Sequence, residues 1–359
     1  MENVNLVVGA GFAGLVVARV LAEKGEKVLV IERRSHIAGN AYDERDGGVL
    51  GHKYGAHIFH TNDKEVWEFV TRFAKFYPYM HKVGAMVNGE LVPIPFNLNS
   101  LYKAFPRQMA KAFEDKLLAK FEFGTKVSVA ELKKVVPELA EFLYDNIFTN
   151  YTAKQWDCKP EELDKSVLER VPVNISKDER YFNDKFQGIP FEGYTALCQA
   201  IADHPNIQLK LNTEFSHEMK AKRVFYSGAI DEYYDYKFGE LAYRSLRFEF
   251  LNLACERFQP YAVVNYPNNY DYTRITEFKQ FLPFASPSTL IAFEYPKAWK
   301  RGDERYYPIP NPANEKLYAK YAKEAKKEPN LYFIGRLGRY KYFNMDQVIK
   351  DSLELAKNL

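Results

Sequence analysis

An α/β fold with a parallel dinucleotide-binding core, a helical lobe and an antiparallel sheet lobe is what this sequence predicts, on three observations. The chain opens on a short apolar run, Asn5-Leu6-Val7-Val8, that leads directly into Gly9-Ala10-Gly11-Phe12-Ala13-Gly14. Residues 98–170 lose strand character and read as successive helices. From Tyr243 to Pro308 the pattern becomes alternation of apolar and polar residues, the period of a half-buried strand.

The first unit is the most informative. A continuous apolar run bounded by glycine reads as a buried parallel strand. Leu15 to Lys24 then reads as a helix stopped by Gly25, and Lys27-Val28-Leu29-Val30-Ile31 as a second strand ending at Glu32. In such a unit Gly9 permits the tight turn, Gly11 lets backbone approach a pyrophosphate, and Gly14 lets helix and strand pack closely. The helix N-terminus offers free N–H groups and partial positive charge. Glu32, eighteen positions after Gly14, stands where a carboxylate accepts ribose hydroxyls. Arg33 and Arg34 raise the question of a 2′-phosphate, but Glu32 would repel one, so two solvated arginines are expected.

Composition narrows the classes. A chain of 359 residues is long enough for two or three domains. A net charge of +3 advertises neither nucleic acid nor an anionic membrane, and no apolar run reaches the length of a span. The N-terminus lacks the basic start of a signal peptide. Cys158, Cys198 and Cys255 are far apart and form no CxxC pair, which fits a reducing cytoplasm and argues against structural zinc. No metal is expected. The 26 tyrosines, concentrated in the C-terminal half, read first as core and sheet surface and secondly as stacking platforms.

The remaining elements follow in order. Arg33 to Asn40 makes a basic, glycine-bearing loop of the kind that touches cofactor phosphates in many flavoproteins. Gly47-Gly48 and Gly51 read as turns before Tyr54-Gly55-Ala56-His57-Ile58-Phe59-His60. His57 and His60 have no metal-ligand company, so they are either structural histidines or site residues. A helix is expected over Asp63–Phe76, then a hairpin over Val83–Ile94 with Asn88-Gly89 as its turn. Helices over Ser128–Val136 and Pro137–Phe148 belong to the helical stretch. Gly193 opens a helix, Ile207–Phe215 and Arg223–Gly228 read as strands, and a charged helix runs from Pro312 to Lys327. The chain ends on the strand Leu331–Ile334, Gly335-Arg336, and a helix from Met345 to Lys357 with Asn344 as its N-cap. That helix start, after a strand ending in Gly-Arg, suits an anion or a flavin ring edge. With a single dinucleotide fingerprint, the residues describe a flavoprotein without a separate nicotinamide domain.

Taken together, further segments resemble the bacterial UDP-galactopyranose mutase family. They include Gly55–His60, Pro93-Ile94-Pro95-Phe96-Asn97, Asn150-Tyr151-Thr152-Ala153-Lys154-Gln155-Trp156, Arg170-Val171-Pro172-Val173 and Phe186-Gln187-Gly188-Ile189-Pro190. Tyr272-Thr273-Arg274-Ile275-Thr276-Glu277, Tyr306-Tyr307-Pro308-Ile309-Pro310 and Gly335-Arg336-Leu337-Gly338 with Tyr340-Lys341-Tyr342 complete the set. The order is the family's, over nearly the whole chain. Departures are Ala38 where a second glycine is common, Ala56 where proline is common, Asn344 where an acid is common, and a segment from Asn265 to Arg274 one residue shorter than in some relatives.

The resemblance implies FAD, active when reduced, held in a Rossmann-like domain by Gly9, Gly11, Phe12, Ala13, Gly14, Glu32, Arg33, Gly39, Asn40, His57, Ile58, Gly335, Arg336, Asn344, Met345 and Asp346. It implies a UDP-sugar substrate whose diphosphate meets Arg170 and Arg274, with Tyr181, Tyr307 and Tyr342 on the same oxygens. Tyr151 would stack on uracil beside Phe148, Trp156 would pack near the sugar, and Thr152 and Asn265 would complete the substrate site. Arg170 would ride on a mobile loop, and His60 would join the two arginines as a catalytic group.

The implied reaction interconverts UDP-galactopyranose and UDP-galactofuranose for cell-surface glycans. Reduced FAD attacks the anomeric carbon through N5 as UDP leaves, and UDP returns after ring closure, with no net electron transfer. The expected domains are 1–80 with 189–240 and 318–359 for FAD, 98–170 for the helical substrate lobe, and 81–97 with 171–188 and 241–317 for the sheet. The expected partners are the UDP-sugar and a second copy of the chain in a homodimer, with no nucleic acid and no membrane insertion. Two other classes stay open from the residues: an FAD oxidoreductase of the amine-oxidase type, and a non-catalytic nucleotide-sugar-binding protein.

Overall fold

A computed structural model describes residues 3–156 and 172–359. Its first sheet is five-stranded and wholly parallel, with Ile207–Lys210, Val28–Ile31, Asn5–Val8, Val224–Tyr226 and Leu331–Phe333 in order from edge to edge. The apolar runs seen in the sequence are continuous because both faces are covered. On one face the helix Phe12–Glu23 packs with Met345–Lys357 and Gly193–Ala202, burying Leu15, Val16, Cys198, Ile349 and Leu353 with Val7 and Val30. The other face buries Leu6, Leu29 and Ile31 under Phe215 and Met219. The first helix begins at Phe12 rather than Leu15, so Gly14 sits inside it. A Cβ there would fall 2.0 Å from the Gly9 carbonyl oxygen, which is why helix and strand can close only on glycine.

The second sheet has seven strands: Tyr307–Pro308, Tyr243–Leu253, Thr289–Ala298, Arg274–Glu277, Val263–Asn265, Val83–Val87 and Glu90–Ile94. The sheet is antiparallel as expected at every pairing but one, where Val263–Asn265 runs parallel to Val83–Val87. Alternation reports which face is buried and carries no information on strand direction. The Asn88-Gly89 hairpin is present, with φ of 52° and 85° at its two turn residues, as that two-residue turn requires.

Several boundaries move. The helix expected over Asp63–Phe76 spans only Lys64–Thr71, capped by the Asp63 carboxylate, and Phe76–Pro78 becomes a strand beside Phe186–Pro190. There Trp67 stacks on Phe186, so an aromatic residue read as helical in period belongs to a helix–strand contact. Gly51 lies within the strand Val49–His52, not in a turn. The strand expected over Ile207–Phe215 stops at Lys210.

The helical stretch is not free of strand either, since Lys126–Val127 pairs with Val173–Asn174. Ser128–Val136 shortens to Val129–Lys133, started by a Ser128–Glu131 capping box. Pro137–Leu143 runs on through a π-helical turn, Tyr144–Phe148, into Thr149–Trp156. Such wide turns re-aim side chains and recur at functional sites; this one feeds Phe148, Tyr151 and Thr152 toward the second sheet. Among the described residues, no helix is long and apolar enough to cross a membrane.

Candidate active site

The carboxyl ends of the parallel strands open onto one cavity of about 460 Å³, as the topology of open α/β sheets dictates. Its wall includes Gly9, Gly11, Phe12, Ala13, Glu32, Arg33, Gly39, Asn40, His57, Gly335, Arg336 and Met345, all expected from the sequence. Gly9 has φ 102°, and a Cβ on it would lie 2.0 Å from the Ser227 hydroxyl. The helix N-cap is Gly11, with no side-chain cap, so the first-turn N–H groups face the cavity unclaimed. A cradle that a Cβ would fill, an uncapped helix start and a carboxylate at the second strand's end together fit the diphosphate and ribose of a dinucleotide cofactor.

Four expected cofactor residues do not line this cavity. Gly14 packs behind it against strand backbone, and Ile58 is buried in the core. The Asn344 N–H donates to the Gln347 side chain at the start of the last helix, at 2.8 Å. Asp346 has a buried carboxylate oxygen with no hydrogen-bond partner among the described residues.

Glu32 is buried and organises both loops around it, accepting from the Ala10 N–H and the Arg34 N–H at 2.9 Å each. Each oxygen keeps a second acceptor position. The expectation that Arg33 and Arg34 are simply solvated is incorrect: both pair with Glu304, and the Arg34 side chain is 15% exposed and lies over the Tyr54 ring. Glu304 is 270 residues further along, so nothing local in the sequence announces this wall of the cavity.

His57 stands in the same wall, with Nδ1 2.7 Å from the Gly55 carbonyl oxygen. That contact requires the proton on Nδ1 and leaves Nε2 an acceptor. Burial, helped by His52, holds its pKa down to about 3, so it is neutral at any working pH.

The expected substrate residues gather around Arg274 in the second sheet. An Arg274 Nη2–H donates to the Tyr151 hydroxyl, and its Nε lies 3.3 Å from the buried carboxylate of Glu294. Burial opposes the arginine's charge, but Glu294 first and then Tyr151, Tyr307 and Tyr181 push its pKa upward, so it remains a cation. Tyr307 and Tyr342 are stacked, ring centroids 5.1 Å apart. Burial pushes the Tyr151 and Tyr307 hydroxyls well above the usual phenol range, which keeps them protonated donors. Asn265 is Arg274's cross-strand partner, buried, with its Oδ1 unpartnered among the described residues. Thr152 is buried beneath Tyr151's helix, and Phe148 packs on the core of the sheet and helical lobe.

His60 lies on a different edge. Its Nδ1 is 2.9 Å from the Asp184 carboxylate, and its ring stacks on Phe182, centroid to centroid 3.7 Å. Phe182 in turn meets Tyr181, so His60 reaches the Arg274 group through two rings rather than directly. Arg170 and the Trp156 side chain lie outside the described residues.

Sequence reasoning missed Glu294, although its signal was available: a carboxylate directly after the apolar run Leu290–Phe293 of the strand Thr289–Ala298, where burial calls for a cation.

A family model described as UDP-galactopyranose mutase matches residues 146–342, the stretch that holds the Arg274 group. The chain belongs to the UDP-galactopyranose mutase family. A second model, NAD(P)-binding Rossmann-like domain, matches residues 7–73. The chain is 41% identical to a probable UDP-galactopyranose mutase of Klebsiella pneumoniae, over 99% of its own length and 94% of the relative's. It is 37% identical to a dTDP-fucopyranose mutase of Escherichia coli, over 99% and 98%. A crystal structure of reduced UDP-galactopyranose mutase superposes with TM-score 0.73 over 99% of this chain and 95% of that one, at 17% identity, which confirms the fold. The protein is thus an isomerase of this family with an FAD cofactor, and membership over the full chain sets aside the amine-oxidase reading.

Proposed function

We propose that the chain interconverts UDP-galactopyranose and UDP-galactofuranose, with substrate held between the FAD cavity and the Arg274 group. The observation that carries this is the convergence of one buried-paired arginine with Tyr151, Tyr181, Tyr307 and Tyr342 beside Arg336, a residue of the cofactor cavity's wall. When bound and reduced, FAD supplies a nucleophilic nitrogen toward the anomeric carbon.

The chain's own groups do the rest. Arg274 offers a planar cation to the diphosphate, and the Glu294 carboxylate 3.3 Å from its Nε balances its charge. Protonated tyrosine hydroxyls donate to the same oxygens. As the anomeric bond breaks, charge gathers on the leaving UDP, and these donors are already in place to receive it. Tyr151, whose hydroxyl accepts from Arg274 and whose ring centroid is 5.9 Å from the Arg274 guanidinium carbon, would turn its ring to the base. Arg170 would supply the second diphosphate cation. The domain division expected earlier, with FAD on 1–80, 189–240 and 318–359, the helical substrate lobe on 98–170 and the sheet on 81–97, 171–188 and 241–317, belongs to this reading, as do a homodimer, a cytoplasmic site and a role in cell-surface glycans.

The test is chromatography of UDP-galactofuranose incubated with dithionite-reduced holoenzyme. Conversion to the pyranose without consumption of reductant per turnover is expected, with little activity in the oxidised form. Equal rates for both redox states would sink the mechanism, and no conversion would leave a nucleotide-sugar-binding protein. The E. coli relative favours one competing substrate, dTDP-fucopyranose; it should be run in parallel, with UDP-N-acetylgalactosamine as a third.

A further inference from the structure

Arg336 lies where the cofactor cavity meets the substrate tyrosines. It follows Gly335 at the end of the last parallel strand and lines the cavity. Its Nη1 donates to the Tyr306 carbonyl at 2.9 Å, while Nε and Nη2 donate to the Phe343 carbonyl at 3.1 and 2.6 Å. Those are the carbonyls just before Tyr307 and just after Tyr342. The two rings they flank are stacked, with planes 12° apart. The guanidinium carbon stands 5.2 Å from one centroid and 5.3 Å from the other. The Arg336 carbonyl accepts from the Lys341 N–H at 3.0 Å, closing its own loop. That loop carries Tyr340 at φ 48°, a left-handed conformation that a tyrosine holds only when its surroundings impose it.

We propose that Arg336 is a positioning residue for the substrate, acting through Tyr307 and Tyr342, in addition to being a cation beside the cofactor. The two tyrosines come from separate segments, one at the edge of the second sheet and one after the last parallel strand. A planar fork can hold two carbonyls at a fixed angle, and a lysine, a point charge on a flexible stem, cannot. Pinned in this way, the stacked pair presents both hydroxyls as a fixed unit, and the residue that pins it is a wall of the cofactor site. Cofactor loading and substrate affinity therefore share one side chain. The inference rests on the reading of Tyr307 and Tyr342 as diphosphate donors.

The experiment measures the UDP dissociation constant of oxidised holoenzyme, its FAD content and its flavin reduction potential. The variants are Arg336→Lys, Tyr307→Phe/Tyr342→Phe, and the three changes combined. Arg336→Lys keeps the charge and loses the fork. It should bind UDP about tenfold more weakly, the size of a lost charge-assisted hydrogen-bond pair, with potential unchanged. On the double-Phe background the same change should alter the UDP constant less than about twofold, because coupled residues are not additive. A variant that loses FAD is titrated again with excess FAD. Wild-type UDP affinity in Arg336→Lys overturns the proposal, and so does a tenfold loss that persists on the double-Phe background. If the double-Phe protein alone binds UDP as tightly as wild type, the diphosphate reading of the tyrosines falls, and this inference with it.

Discussion

Ala38 shows how a single residue in the cofactor loop records a compromise. Its φ is 76°, in the left-handed region, and it lines the cavity just before Gly39. The sequence singled out Ala38 as standing where the family often has glycine, and the backbone explains the preference. A Cβ in that conformation costs about 1 kcal/mol. Ala38→Gly should therefore raise unfolding free energy by up to about 1 kcal/mol, less the entropy glycine gains when unfolded, as read by urea denaturation. A destabilised variant would mean that the alanine methyl is needed for packing. At the same scale, Arg274→Ala should lower kcat by about 10²-fold or more, since it serves the charge that builds on leaving UDP. Tyr151→Ala should instead raise KM more than it lowers kcat, because a stacked base is held alike in both states. The reverse pattern would place Tyr151 against the reacting sugar.

Among the elements, what the sequence disclosed and what it hid divide along physical lines. The strand–turn–helix–strand unit was legible because each of its residues has a local job: Gly9 for the turn, Gly14 for the close packing, Glu32 at the strand end. The hairpin at Asn88-Gly89 was legible for the same reason. The one parallel pairing in the second sheet, the end of the helix at Thr71 and the Arg34–Glu304 wall were not, because each is decided by a partner far along the chain. Arg274 and the tyrosines were named only through motif resemblance; alternation alone would have left them as strand residues. Long-range pairing also sets the prediction for the parallel sheet's amino edge. There Glu26 accepts from Asn5 on one strand and from Lys222 and Arg223, which lead into another. Burial raises its pKa, but Arg223, Lys222 and Asn5 outweigh that and bring it to about 2. A carboxylate depressed on folding adds stability that is present above its unfolded pKa and is lost as pH falls through the folded value. Between pH about 4.5 and about 2 wild type should thus lose stability that Glu26→Gln has already lost at pH 7. Parallel pH curves for the two proteins would show that the cluster contributes nothing.

At the scale of the whole molecule, the largest pH lever among the described residues is a set of neutral histidines rather than any carboxylate. His52 and His81 are buried in the core beside Phe281, and His57 sits in the cofactor wall; burial holds each pKa down to about 3. Unfolded, they would titrate near 6.5. Below that pH the unfolded chain binds protons that the native chain refuses, so stability falls as pH drops from about 6.5 toward about 3. Three such groups give a slope of about 4 kcal/mol per pH unit once all are protonated in the unfolded chain, at about 1.4 kcal/mol per proton and unit. That is a large fraction of the stability of an ordinary domain. The site adds a further consequence. His57 lies in the cofactor wall, so acid should release FAD as well as unfold the chain, and the two events should share one midpoint. The measurement is flavin fluorescence, quenched when bound, followed with circular dichroism from pH 8 to pH 4. His81→Phe keeps a ring against Phe182 and Phe281, gives up the 3.3 Å contact with the Tyr79 hydroxyl at every pH, and should shift both midpoints to lower pH relative to its own neutral-pH stability by removing one of the three protons. Coincident curves for wild type and His81→Phe would show that the buried histidines do not set the acid limit.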